Sequence, residues 1–198
     1  MKDSDYKSNN EWKEKFSNNL AEFREKAYID ESLMPKRYVL VLTNLCNLAC
    51  DFCFQHRTKQ KGAMNSDDWI KLVNDLPKGS RVTLTGGEPL AIKNFREIFS
   101  ETVKNHECNI ITNGLLLNED IIDFFLMEKN FKVLSISIDN RKNLIRKLAN
   151  VKEKKWDEKW EHVEKMMLYF QKRKIELNHQ GCVLDSKTVV LDENGEDL

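Results

Sequence analysis

Apolar positions along this chain switch between two spacings, and the switching predicts its architecture. Residues 9–29 are polar with a narrow stripe of Trp12, Phe16, Leu20, Phe23 and Ala27 at helical spacing, and Ser8 with Glu11 has the form of a capping box. After Pro35 the pattern changes. Residues 37–44 (RYVLVLTN) predict a first strand, and Ser66 is the predicted cap of a helix carrying Trp69, Ile70, Val73 and Leu76 that stops at Pro77. RVTLTGG at 81–87 predicts a second strand, followed by a helix over 95–105 with Phe95, Ile98, Phe99 and Val103 on one face. CNIIT at 108–112 predicts a third strand, and Asn118 caps a helix holding Ile121, Ile122 and Phe125. VLSISID at 133–139 predicts a fourth strand, 156–173 a long helix with Trp156, Trp160, Val163, Met167 and Phe170, and 174–184 a fifth strand. Strand then helix, repeated, predicts an α/β fold with a parallel sheet buried on both faces. The aromatic and Met stripes on the helices are core. The expected organisation is a helical extension over residues 1–34 and one main domain over 35–198.

Composition narrows the class. The chain has 198 residues, 40% hydrophobic and 32% charged, which suits one folded domain with a packed core. Lys plus Arg equals Asp plus Glu, 32 against 32, so no global charge draws it to nucleic acid or an anionic membrane. The segment 141–174 is rich in Lys and Arg and reads as a solvated helix face. The start, MKDSDYKSNNEWKEKF, has no apolar signal region, and no apolar run approaches a membrane span; the expectation is a cytoplasmic protein without a membrane partner. Five cysteines, three of them between positions 46 and 53, favour metal binding over disulfides.

The chemistry gathers at predicted strand ends, where parallel α/β folds bind ligands. Cys46, Cys50 and Cys53 follow the first strand, Gly86, Gly87, Glu88 and Pro89 the second, and Thr112, Asn113 and Gly114 close the third. Ser135, Ser137 and Asp139 line and end the fourth, and Asn178, His179 and Cys182 are expected in the fifth. The triplet reads CNLACDFC, a CxxxCxxC spacing whose thiolates converge on one inorganic centre. Iron–sulfur clusters usually take four cysteines; three leave one iron open to a small molecule. With His56 the same stretch also reads as a Cys3His zinc site, and the triplet alone leaves both open. Gly86-Gly87 suits close approach of a ligand, Asn113 and Asp139 are equally turn formers, and Cys108 and Cys182 read as buried structural thiols.

Together these pieces resemble the radical S-adenosylmethionine (SAM) enzymes, over Tyr38 to Leu184. CxxxCxxC, with Phe52 before its last cysteine, is similar to the family's cluster motif; TGGEP at 85–89, TNG at 112–114 and SISID at 135–139 resemble motifs of its sulfatase-maturing, peptide-modifying and molybdopterin-precursor branch. The resemblance implies a partial, open (β/α) TIM-like barrel of about five to six parallel strands, with the N-terminal helix as an extra element. It implies a [4Fe–4S] cluster on Cys46, Cys50 and Cys53, with SAM on the fourth iron. It implies Phe52 and Phe54 flanking the adenine, and Gly86, Gly87 and Glu88 at the SAM amino end. Asn113, Ser137 and Asp139 are then candidates for ribose or carboxylate contacts. The implied reaction is reductive cleavage of SAM to a 5′-deoxyadenosyl radical that abstracts hydrogen from a peptide or small-metabolite substrate. A low-potential donor such as flavodoxin or ferredoxin would supply the electron.

Four departures stand out. Asp139 is followed by Asn140 where relatives often have Gly, and Ala149 falls where many carry an arginine for the SAM carboxylate, with Arg141 and Arg146 nearby. Only DSKTVVLDENGEDL follows Leu184, so the chain is expected to be either a trimmed fragment or an unusually open partial barrel. No C-terminal cysteine cluster is present for an auxiliary site. These departures keep a second function in view, a non-catalytic iron–sulfur or SAM-binding module.

Overall fold

Five runs of Val, Leu, Ile and Phe build one sheet, and the loops at its carboxyl edge carry the chemistry. The computed structural model describes residues 35–50, 53, 64–138 and 153–187, with side chains of the last helix from Glu158 onward. The strands are β1 (Arg37–Val41), β2 (Arg81–Thr85), β3 (Glu107–Thr112), β4 (Phe131–Ser137) and β5 (Val183–Lys187). Their order in the sheet is their order in the chain, and every neighbouring pair is parallel. Helices α1 (Ser66–Asp75), α2 (Phe95–Asn105), α3 (Glu119–Leu126) and α4 (Glu153–Glu176) form the crossovers, with a short 3-10 turn at Pro89–Ala91. Sequential order with one crossover hand puts every helix on the same side of the sheet. This is the open, TIM-like half-barrel expected from the motifs. The expected N-terminal helix lies outside the described residues.

The two faces of the sheet differ in polarity. Leu40, Val82, Leu84, Cys108, Ile110, Leu134 and Ile136 are buried in the core, packed with helix residues Phe95, Phe99, Phe125, Val163, Met166 and Phe170. Phe99 and Phe125 meet at 4.9 Å between ring centroids, and Phe131 closes on Phe125 at 5.3 Å. The other face carries Val39, Val41 and Val183, all exposed, beside Thr85, Ser135 and Asp185. Helix α4 is tied to α3 where Arg173 Nε and the Tyr169 hydroxyl both donate to Asp123 Oδ1, at 2.8 and 3.1 Å. Lys165 and Lys172 are solvent-exposed, as the charge pattern predicts.

Two expectations are corrected. The cap of α1 is Asn65, whose side chain accepts the Asp68 N–H at 2.9 Å, and Ser66 is the first helical residue. Asn118 caps α3 as predicted, accepting from the Ile121 N–H at 2.8 Å. The larger correction concerns the fifth strand. Residues 174–176 belong to α4, which ends in a turn with Asn178 in the left-handed region (φ 51°), and the strand begins only at Val183. Asn178 and His179 therefore lie at the amino end of the sheet, and His179 Nε2 is 3.0 Å from the Glu128 carbonyl just before β4. Neither belongs to the carboxyl rim. Cys182 precedes β5 and is fully buried, as is Cys108.

Candidate cluster and cofactor site

The first element is the loop leaving β1. Thr43 turns the chain by accepting the Leu45 N–H on its own hydroxyl at 3.0 Å. Cys46, Cys50 and Cys53 follow, all half-buried, and no disulfide joins any of the five cysteines. Cys53 N–H donates to the Cys50 carbonyl at 2.9 Å, which curls the end of the motif. Cys46 Sγ accepts from the Leu48 N–H at 3.4 Å and from Asn113 Nδ2 at 3.8 Å.

The second element explains the two glycines. Gly87 N–H donates to the Thr43 carbonyl at 2.6 Å and Glu88 N–H to the Leu45 carbonyl at 2.7 Å, so the turn after β2 is stitched to the cysteine loop. A Cβ on Gly86 (φ 154°) would lie 2.5 Å from the Thr43 carbonyl oxygen, and one on Gly87 2.3 Å from that of Leu45. The close approach that demands glycine is made by the chain itself.

Glu88 is the hub. Its carboxylate is fully buried. Oε1 accepts from the Thr112 hydroxyl at 2.8 Å and from the Leu90 N–H at 3.0 Å, and Oε2 accepts from the Asn113 N–H at 2.8 Å. Burial pushes the Glu88 carboxyl above its usual range, opposed by these donors, the Asn113 N–H first. Asn113 in turn orients its amide by accepting the Leu115 N–H on Oδ1 at 3.0 Å, which turns Nδ2 toward Asn47 Oδ1 at 2.7 Å and Cys46 Sγ. Burial also raises the Cys46 thiol; the Leu48 N–H and Asn113 amide lower it, while Glu88 and Cys53 add to the rise.

Of the residues predicted for this site, Cys46, Gly87, Glu88 and Asn113 are thus bound into one network, with Gly86 packed against Thr43. Cys50 and Cys53 lie on the same loop, and Ser137 ends β4 at the same edge of the sheet, exposed and in register with Lys187. Phe52, Phe54 and Asp139 lie outside the described residues, as do His56, Arg141, Arg146 and Ala149. Asp185 was missed. It lies on the sheet face opposite the described helices, where its carboxylate accepts from the Ser135 hydroxyl at 3.1 Å and stands 3.5 Å from Lys187 Nζ. Its signal was hidden because the predicted fifth strand stopped before it. Deeper on that side, Thr83 Oγ1 and Asn109 Oδ1 are register neighbours, buried and without a hydrogen-bond partner among the described residues.

Three soft sulfur donors on one loop suit an iron–sulfur cluster, and the two N–H groups aimed at Cys46 Sγ suit a thiolate ligand. Among the described residues no three Cys, His, Asp or Glu side chains are grouped to hold a single metal ion. No described helix is long and apolar enough to cross a membrane.

Comparison with known proteins decides the family. The family model of the Radical SAM superfamily matches residues 40–181, more than half the chain. The chain belongs to the radical SAM superfamily. It is 34% identical over 119 residues to the sporulation killing factor maturation protein SkfB of Bacillus subtilis, covering 57% of this chain and 28% of SkfB. It is 31% identical over 112 residues to a probable GTP 3′,8-cyclase of Methanopyrus kandleri, covering 54% of this chain and 36% of the cyclase. The fold is similar to that of Streptococcus suis SuiB bound to its precursor peptide SuiA, with a TM-score of 0.56 at 16% identity over 87% of this chain and 44% of SuiB. SuiB bound to SAM matches with a TM-score of 0.53, 16% identity, 89% of this chain and 44% of SuiB. The radical SAM chain described here spans less than half the length of each of these relatives.

Proposed function

We propose that residues 35–198 form a catalytic domain, with 1–34 as a helical extension, in which Cys46, Cys50 and Cys53 hold a [4Fe–4S] cluster and SAM binds beside it. The observation that carries this reading is the wiring of three adjacent strand ends, Cys46 after β1, Glu88 after β2 and Asn113 after β3, into one hydrogen-bonded network. When bound, the cluster and SAM supply a reductive carbon–sulfur cleavage and a radical that takes a hydrogen atom from the substrate. The chain's own part is to bind, orient and exclude water. The three thiolates fix three irons and leave the fourth for SAM. The Gly86-Gly87-Glu88 turn meets the SAM amino end. Phe52 and Phe54 flank the adenine, and Asn113, Ser137 and Asp139 contact the ribose or carboxylate.

A peptide or small-metabolite substrate is the class this reading favours. SkfB is a maturation protein and SuiB is solved with a precursor peptide, which weighs toward a peptide. The electron comes from a low-potential donor such as flavodoxin or ferredoxin. A cytoplasmic setting fits, since a reducing compartment preserves thiolate ligands.

The test is anaerobic reconstitution with iron and sulfide, followed by SAM and dithionite. Expected are about four irons per chain and 5′-deoxyadenosine with methionine as products. A reconstituted protein that carries the cluster yet forms no 5′-deoxyadenosine overturns the catalytic reading; a protein that binds no iron overturns the cluster as well.

A further inference from the structure

The Glu88 carboxylate makes no contact that a ligand is needed to explain. It is fully buried, and its three donors all belong to the chain: the Thr112 hydroxyl, the Leu90 N–H and the Asn113 N–H. Two of the three lie at the end of β3, so the side chain clamps the β3 exit to the β2 exit. Its main-chain N–H holds the β1 exit through the Leu45 carbonyl. One residue thus fixes the relative positions of three loops.

What the clamp positions is the Asn113 amide. With Asn113 Oδ1 committed to the Leu115 N–H at 3.0 Å, the two Nδ2 hydrogens are left for Asn47 Oδ1 at 2.7 Å and Cys46 Sγ at 3.8 Å. A donor aimed at a cluster thiolate stabilises the reduced, more negative state, because the added electron density spreads onto the sulfurs. The Leu48 N–H is a second donor to the same sulfur at 3.4 Å. We propose that Asn113 raises the reduction potential of the cluster by donating to Cys46, and that Glu88 is the positioning residue that holds Asn113 in place to do so. This rests on the cluster assignment above and adds to it a role for side chains otherwise expected to serve SAM.

The experiment is a redox titration of the reconstituted, SAM-free full chain with dithionite, followed by electron paramagnetic resonance, with iron and sulfide assayed on the same samples. In Asn113→Ala the expected result is a full cluster whose midpoint is more negative, by about tenfold in the reduction equilibrium or ~59 mV for one electron. Glu88→Gln keeps the shape but turns an N–H toward a donor and also removes a negative charge, which by itself raises the midpoint; the change it makes should therefore be more negative in the parent than in the Asn113→Ala background, where only the charge loss acts. The double variant should shift no further than Asn113→Ala alone, because Glu88 acts through Asn113. Should Asn113→Ala fail to assemble, the neutral, near-isosteric Asn113→Leu, which has no N–H to give, must show the same direction of shift. A full cluster with an unchanged midpoint in the Asn113 variant overturns the proposal, and additive shifts overturn the role of Glu88. Absence of iron from the parent chain overturns the cluster assignment itself, and the iron assay separates that failure from the others.

Discussion

Ser135 Oγ donates to Asp185 Oδ2 at 3.1 Å across the β4–β5 pair, on the face of the sheet opposite the described helices. A carboxylate oriented by a neighbour at that place is set to receive a hydrogen-bond donor from whatever occupies the half-barrel. Asp185→Ala is expected to cost about 1 kcal/mol of stability, since the pair is partly solvated. Loss of a charged acceptor for a bound ligand is a larger effect, ~1.5–3 kcal/mol or roughly tenfold to a hundredfold in SAM cleavage. Thermal melts beside a product assay separate the two. A variant that cleaves SAM at the parent rate removes Asp185 from the site.

The glycines flanking β2 make a graded prediction. In Gly87→Ala the new Cβ meets the Leu45 carbonyl oxygen at 2.3 Å, an obstacle of rigid backbone, and the expected loss is about 3 kcal/mol in urea unfolding. Gly79, before β2, has a positive φ of 77° but open space around its Cβ position, so Gly79→Ala should cost only ~1 kcal/mol. A loss at Gly87 no larger than that at Gly79 would mean that the contact with the cysteine loop does not govern Gly87.

The thiols should sort into two groups by reactivity. Burial pushes the Cys182 thiol up to about 11 and the Cys108 thiol further still. An acid with a raised value stays protonated until the pH climbs past it, so at pH 8 only about one Cys182 in a thousand is thiolate. Iodoacetamide treatment of the folded, iron-free protein at pH 8, followed by mass spectrometry, should label the half-buried Cys46, Cys50 and Cys53, with Cys46 slowed by its own raised thiol, and spare the two buried cysteines. Labelling of Cys108 in the folded state would contradict its burial.

The tie between α3 and α4 tests how the last helix is held. Arg173 and Asp123 are each about one-third exposed, which limits their ion pair through solvent screening. A double-mutant cycle with Arg173→Ala and Asp123→Ala should give a coupling of about 0.5–1 kcal/mol in chemical unfolding, falling as salt is added. A coupling near zero would leave the buried Val163, Met166 and Phe170 as the attachment of α4.

The first four strands and all four described helices could be read from the sequence because each carries a dense apolar face, only the last helix running three residues further at each end. The fifth strand could not. Ile175 and Leu177 mimic strand alternation, yet Ile175 is 77% exposed on the end of a helix. The true strand, VLDSK, has two apolar residues and looks like tail. At the site, the cysteines, the paired glycines and the TNG turn were visible as motifs. Their connections were not: nothing in the spelling of Gly86-Gly87 says that the close neighbour is the chain's own Thr43 and Leu45. Nor does Glu88 announce that its side chain faces inward, since a glutamate after two glycines is more often solvated. The choice of Asn65 over Ser66 as cap was undecidable from residue type, as both are good caps.

The buried carboxylate of Glu88 is held by hydroxyl and amide dipoles, and among the described residues no cation faces it. Dipoles in contact are not diluted by mobile ions as a surface ion pair is. The architecture around Cys46 should accordingly keep its shape from dilute buffer to concentrated brine, even as the Arg173–Asp123 tie on the outer helices slackens.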